Sequence, residues 1–322
     1  MIMYKKSAVE ILHTICVGAQ KPEKILYVSD DPSAEIADLM WHSSAHYPNR
    51  ALIRMADRIM HGDEPPDTVA AAMAQADIIF GITKFSMYHS AARRNAVANG
   101  ARFANMADYN IEMMHEGGLF VDFEKQGAWM DRFSDALDGS ETIRITTALG
   151  TDIKASIKGR MAVRQYGRSL KTGSSSSPPD IETAIGPIEG SVNGTAVIDG
   201  SIPFPGLGVL SEKIRLTIKA GAIVDIEGGN QAAFLKKSLS GFQDPAVYQM
   251  AEIGFGFNDH SVLRNRMLED EGVMGTIHFG FGNSLAFGGS IDSSNHIDMV
   301  FTAPSVWADD KQLLDDGQYL IK

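Results

Sequence analysis

Ile25-Leu-Tyr-Val-Ser-Asp-Asp-Pro-Ser-Ala-Glu-Ile-Ala-Asp-Leu-Met-Trp-His-Ser43 is the stretch that decides the fold class. Ile25–Val28 is an apolar run of strand length, Ser29-Asp-Asp-Pro32 is a turn, and Ala34–Ser43 has a helical pattern. The same unit recurs. Arg50–Met55 is a second strand, Pro66–Gln75 a helix opened by Asp67-Thr68, Ala76–Ile82 a third strand and His89–Asn99 a third helix. Gly100-Ala-Arg-Phe103 then begins a fourth strand. Repeated β-α units predict an open parallel sheet with helices on both faces, and such sheets take ligands beyond the carboxyl ends of their strands. No Gly-x-Gly-x-x-Gly follows Ile25–Val28, and Gly254-x-Gly256 lies too far along, so a dinucleotide fingerprint is absent.

The second half reads differently. Asp122–Leu137 is a long helix, and Glu141–Thr147 and Ile153–Ile157 form a hairpin about Gly150-Thr-Asp152. Thr172-Gly-Ser-Ser-Ser-Ser-Pro-Pro-Asp180 is the clearest break in composition and reads as a domain junction that also borders the site. Strand patterns follow at Thr195–Ile202, Glu212–Ile218 and Ala222–Ile226, the last two joined by the tight turn Lys219-Ala-Gly221. Helices are expected at Gln231–Leu239 and Ser261–Glu269, and strands at Ile253–Phe257, Thr276–Phe281 and His296–Phe301. The expected architecture is α/β: an amino-terminal open parallel sheet domain (1–165, Rossmann-like), then a β-rich α+β metal-binding domain (166–322).

At 322 residues the chain has room for two cores, and 44% hydrophobic with 21% charged residues is ordinary globular composition. A net charge of −11 argues against nucleic acid or an anionic membrane as partner. The single cysteine, Cys16, excludes a disulfide framework and fits a reducing compartment. Ile11–Gly18 is faintly like a signal peptide, but Glu10 and His13 make a short amphipathic helix the better reading. No apolar run reaches the ~20 residues of a membrane span, and a cytoplasmic location is expected.

The chemistry is concentrated in Ala251–Phe301. Ala-Glu252-Ile-Gly-Phe-Gly-Phe-Asn, Gly-Thr-Ile-His278-Phe-Gly-Phe-Gly and Asn-His296-Ile-Asp298-Met-Val-Phe place polar groups inside apolar, glycine-rich runs. A buried carboxylate is costly unless it is paired or binds a metal. His-x-Asp on a strand points both side chains to one face. Two carboxylates and two imidazoles suit a borderline divalent cation such as zinc, manganese, cobalt or iron.

The ordered motifs Ala251–Asn258, Leu268-Glu-Asp-Glu271, Gly275-Thr-Ile-His278, Phe287-Gly-Gly-Ser290 and His296-Ile-Asp298, with Pro187–Asp199 and Gly150-Thr-Asp152 upstream, resemble the aminopeptidase T family of metallopeptidases. They also resemble its offshoot, the 2,5-dihydroxypyridine dioxygenases. The resemblance implies a two-metal site on Glu182, Glu252, His278, His296 and Asp298, with two zinc, cobalt or manganese ions. Glu182, in Ile181-Glu-Thr183, is then a ligand or the general base, and Asp180 and Glu189 are candidates to hold a substrate amine. The dioxygenases resemble the chain in Asp244–Tyr248 and Gly288-Gly289, and hold one Fe(II) with a histidine where Glu252 stands, plus the pair matching His296 and Asp298. By that likeness His89 falls in the substrate pocket. Independently of it, His61, in the loop Met60–Pro66, is a further candidate to touch the site.

With three carboxylates present, one ferrous ion would leave the set over-charged, so the expected function is a hydrolase. It would cleave an amino-terminal peptide or amide bond with a metal-activated water, and would need no oxygen. A ring-cleaving Fe(II) dioxygenase acting on a dihydroxypyridine-like ring is the alternative. Leu285, where the peptidases carry a tyrosine, leaves peptide in doubt as substrate. A small peptide or small-molecule substrate and a homodimer are the expected partners.

Overall fold

A computed structural model describes residues 6–293 and 295–321. They fall into two compact units. The first holds the chain up to Phe123 together with Gln165–Asp180; the second holds Glu124–Arg164 and everything described from Ile181 onward.

In the first unit the β-α alternation builds a parallel sheet, five-stranded among the described residues. Its order is Arg50–Arg54, Ile25–Ser29, Ile78–Ile82, Arg102–Asn105 and Ser175–Ser176. Ile25–Ser29 and Ile78–Ile82 are buried throughout, as central strands covered on both faces must be. Ala34–Ser43, Asp67–Met73 and Ala91–Ala98 are the helices between them. Leu26, Val28, Ile79 and Phe103 pack with Val69, Met73 and Ala96 into one cluster.

Two expectations for this unit need correcting. The Ser-rich stretch is not simply a junction: Ser175 and Ser176 pair in parallel with Phe103 and Ala104 and extend the sheet. The amino-terminal helix Ala8–Ile11 passes directly into a wider π-turn, Leu12–Cys16, most of which is buried.

The second unit is dominated by two antiparallel sheets. One runs from Ala222–Glu227 through Ile214–Lys219, Asn193–Ile198, Asp152–Ser156 and Thr142–Thr146 to the carboxy-terminal strands. Its turn at Ala220-Gly221 has φ of 48° and 83°, the left-handed pair that a two-residue hairpin requires. The other sheet, seven-stranded among the described residues, has at its centre His296–Phe301, Ile277–Gly282, Met250–Gly256 and Glu182–Ile185.

The helix Phe123–Asp138 packs on that sheet: the Phe133 ring lies 4.9 Å from Phe255 and 5.4 Å from Phe257, and Ser134 bonds Thr183 Oγ1 at 2.8 Å. The helix expected over Ser261–Glu269 is reduced to one turn, Met267–Asp270. The Asp270 carboxylate accepts the N–H groups of Arg264, Asn265 and Arg266, and these bonds hold the preceding residues in a loop. Among the described residues no helix is long and apolar enough to cross a membrane.

Candidate metal centre

Strand register brings the donors together. Glu252 pairs with Gly280, and Gly280 with Asp298. His278 pairs with Gly254, His296 with Gly282, and Glu182 with Gly256. Side chains alternate along a strand, so Ile277, Phe279, Phe281, Ile253 and Phe255 go to the core, where each is fully buried. The even positions share the other face, where the donors alternate with Gly254, Gly256, Gly280 and Gly282 and are bordered by Ala184 and Val300. The glycines are needed: a Cβ on Gly254 would lie 2.0 Å from His278 Nε2, and one on Gly280 2.5 Å from His296 Nε2.

One ligand atom from each of Glu182, Glu252 and His278 falls within 4.8 Å of the others, and the same holds for Glu252, His296 and Asp298. His296 Nε2 lies 2.9 Å from Glu252 Oε2 and 3.1 Å from Asp298 Oδ1. Its Nδ1 lies 2.8 Å from the Asn283 carbonyl oxygen. A carbonyl only accepts, so Nδ1 carries the proton and the Nε2 lone pair is left for a cation. His278 Nε2 lies 3.3 Å from Glu182 Oε2 and 3.5 Å from Glu252 Oε1. Glu182 Oε2 is buried without a hydrogen bond. An orphaned carboxylate oxygen among imidazoles and carboxylates is what a divalent cation would satisfy, so the donors fit one. The His296 side chain is 25% exposed and the other four 11% or less, so the centre is approached from the His296 side.

Burial pushes the Glu182 carboxyl up to about 7, with Glu252 and Asp298 adding to the effect against the pull of His278. For His278 burial works the other way, but the carboxylates of Glu182 and Glu252 outweigh it and raise the ring to about 9. His296 is also raised, since Asp298 and Glu252 overcome its burial. Asp298 is lowered to about 2, because His296 overcomes burial there.

All five predicted donors therefore converge. His89 belongs to the first unit, exposed in the turn before the helix Ala91–Ala98. His61 Nδ1, in the same unit, accepts the Ser86 N–H at 3.0 Å. Asp180 is a buried residue at the end of that unit's last segment. Glu189 is committed elsewhere: Arg160 Nη2 donates to it at 2.6 Å, and Ser290 donates through its N–H and its hydroxyl. Glu271 was not among the predicted donors. It is buried and hydrogen-bonded to Asp298. Its signal lay in Leu268-Glu-Asp-Glu271, where three successive acidic residues are all buried.

The fold and this face define a two-unit α/β protein with a buried histidine–carboxylate centre able to hold a divalent cation. A sequence model of the 2,5-dihydroxypyridine 5,6-dioxygenases matches residues 31–321, and the chain belongs to that family. A 2,5-dihydroxypyridine 5,6-dioxygenase of Pseudomonas putida KT2440 is 27% identical over 191 residues, which span 56% of this chain and only 55% of that relative. The solved structure of 2,5-dihydroxypyridine dioxygenase from Pseudomonas putida KT2440 superposes with a TM-score of 0.80 at 17% identity, covering 98% of this chain and 97% of the other. AmpT from Thermus thermophilus gives a TM-score of 0.72 at 12% identity, covering 98% of both chains. At these identities the two structures speak to the fold.

Family membership overturns the hydrolase reading, together with its peptide substrate and its independence of oxygen. The physical error lay in counting charges. Counting Glu182, Glu252 and Asp298 as three full negative charges overlooks that burial raises the Glu182 carboxyl to about 7 in the absence of a cation.

Proposed function

We propose that this chain is an iron-dependent dioxygenase that opens the ring of a dihydroxylated pyridine. The observation that carries the reading is the family match over residues 31–321. The convergence of Glu252, His296 and Asp298 on one point supports it. Those three would hold the ion, with one imidazole and two carboxylates in place of the two imidazoles and one carboxylate of the facial arrangement. The chemistry supplied by bound iron is one-electron exchange between dioxygen and an electron-rich ring.

The remaining work falls to the chain. His296 is oriented by the Asn283 carbonyl, so its Nε2 faces the ion in a fixed tautomer. Glu182, in its carboxylate form, would take the proton of a ring hydroxyl at Oε2 and become neutral, leaving the negative charge on the ring oxygen; His278 Nε2 lies 3.3 Å from that Oε2. The near-complete burial of Glu182, Glu252 and His278 keeps water from the ring.

An oxygen electrode tests the proposal. Protein reconstituted anaerobically with ferrous iron should consume oxygen on addition of 2,5-dihydroxypyridine, with loss of the substrate's ultraviolet absorbance. Iron-loaded protein that leaves both oxygen and the pyridine untouched would refute it.

A further inference from the structure

Phe287 stands beside the centre without a role in what has been described. It closes the single 3-10 turn Leu285–Phe287, between the strands that carry His278 and His296. Its ring lies 5.6 Å from the His296 imidazole, centroid to centroid, and is tilted 33° to it. His296 is the donor through which the centre meets solvent. Phe287 is half-buried and Leu285, two residues before it, is 54% exposed. An apolar rim therefore borders the open side of a cluster of carboxylates and imidazoles.

A metal ion has no use for such a rim, whereas a planar ring does. The polar edge of a hydroxylated heterocycle can turn to the donors, but its faces are apolar and need a surface to lie on. The floor of the centre offers little of one, because Gly254, Gly256, Gly280 and Gly282 fill most positions beside the donors.

The position of Phe287 is fixed by its backbone. A Cβ on Gly186 would lie 2.6 Å from the Phe287 carbonyl oxygen and 3.1 Å from its Cβ, so the turn rests directly on that glycine. Gly288, at φ 74°, ends the turn in the left-handed region. Beyond it, Glu189 holds Ser290 by two hydrogen bonds, and Ser284 Oγ accepts the Ile291 N–H at 2.9 Å. The turn is tied on both sides of Phe287, which is how a stacking surface must be held if it is to position a ligand.

We propose that Phe287 is the platform on which the planar ring of the substrate stacks, a positioning residue that sets the ring against His296. This rests on the function proposed above. The test is an anaerobic calorimetric titration of the iron-loaded protein with two probes, 2,5-dihydroxypyridine and the non-aromatic chelator oxalate, alongside steady-state oxygen uptake.

Phe287→Ala should weaken the pyridine by about three- to tenfold, the range expected for one aromatic contact. Oxalate binding should stay as it was, and KM should rise while kcat changes little. Phe287→Tyr should restore the pyridine, and Phe287→Leu, which keeps apolar bulk, should fall between. Unchanged pyridine affinity in Phe287→Ala overturns the platform, and so does an equal loss of both probes in Phe287→Ala and Phe287→Leu. Ring binding that depends on Phe287 without any oxygen uptake sinks the dioxygenase and leaves the platform standing. Oxygen uptake indifferent to Phe287 does the reverse, and a wild type that binds no pyridine at all sinks both.

Discussion

Glu252 and His296 sit on strands separated by a third, yet their side chains meet at 2.9 Å. They do so over Gly280, which pairs with Glu252 on one side and with Asp298 on the other. Any side chain at 280 would stand where the contact is made. Gly280→Ala places a methyl group 2.5 Å from His296 Nε2 and 2.9 Å from Asp298 Oδ1. It should cost about 1–3 kcal/mol of stability and most of the bound metal. Urea melts with metal analysis of the same samples check this; full occupancy in a folded variant would show that the donors lie elsewhere.

Metal removal should be equally decisive. Dialysis against a chelator should abolish oxygen uptake, and ferrous iron should restore it. Glu252→Ala and His296→Ala should each weaken iron binding by at least about 10- to 100-fold, the loss that even an outer partner of a metal ligand brings, while the far-ultraviolet circular dichroism stays native. If either variant still carries iron stoichiometrically, that residue is not a ligand.

The clamp on the 284–291 loop can be loosened without touching a donor. Glu189 joins Arg160 to Ser290, and Glu189→Ala removes both links. The expected stability loss is small, about 1 kcal/mol. KM for the pyridine should rise severalfold at an unchanged iron content. A variant with wild-type KM would mean that the loop holds its shape without the clamp.

A pH effect is expected from the first unit. His13 is buried with Nδ1 donating to the Val9 carbonyl at 2.7 Å and Nε2 2.6 Å from the Tyr27 hydroxyl. Burial lowers its pKa to about 4, only partly offset by the Val9 bond and reinforced by His46. Between the ordinary value of 6.5 and about 4 the unfolded chain binds the proton and the folded chain does not. Stability from this residue is therefore full above pH 6.5 and is lost as pH falls towards 4, by about 3 kcal/mol at most. Urea melts at pH 7, 5.5 and 4.5 should show a steeper decline in the wild type than in His13→Leu. Parallel declines would place the acid sensitivity elsewhere.

Features carried by local pattern were legible in the sequence. The helix Ala34–Ser43 and the strands at Ile25 and His296 follow from runs of one periodicity bounded by turn residues. His-x-Asp needed only the two-residue repeat of a strand. What depends on distant partners was not legible. That Glu182 opens a strand and faces His278 is set by its pairing with Gly256, more than seventy positions along the chain. Ser261–Glu269 has helical residues, but one carboxylate at Asp270 captures the amides that a helix would have used. The reaction is not legible either, because the donor set Glu182, Glu252, His278, His296 and Asp298 suits more than one kind of divalent-cation chemistry.

The two-residue strand Ser175–Ser176 has a consequence for how the protein is made. The first sheet takes its last strand from a segment synthesised after the helix Phe123–Asp138 and the hairpin Thr142–Ser156, which from Glu124 onward belong to the second unit. On the ribosome, the amino-terminal sheet must wait with one edge bare until residue 176 has emerged, by which time part of its neighbour is already outside the tunnel. The halves cannot be expressed from a single cut in the gene, and a truncation after residue 123 would expose the open edge at Arg102–Asn105, an invitation to aggregate.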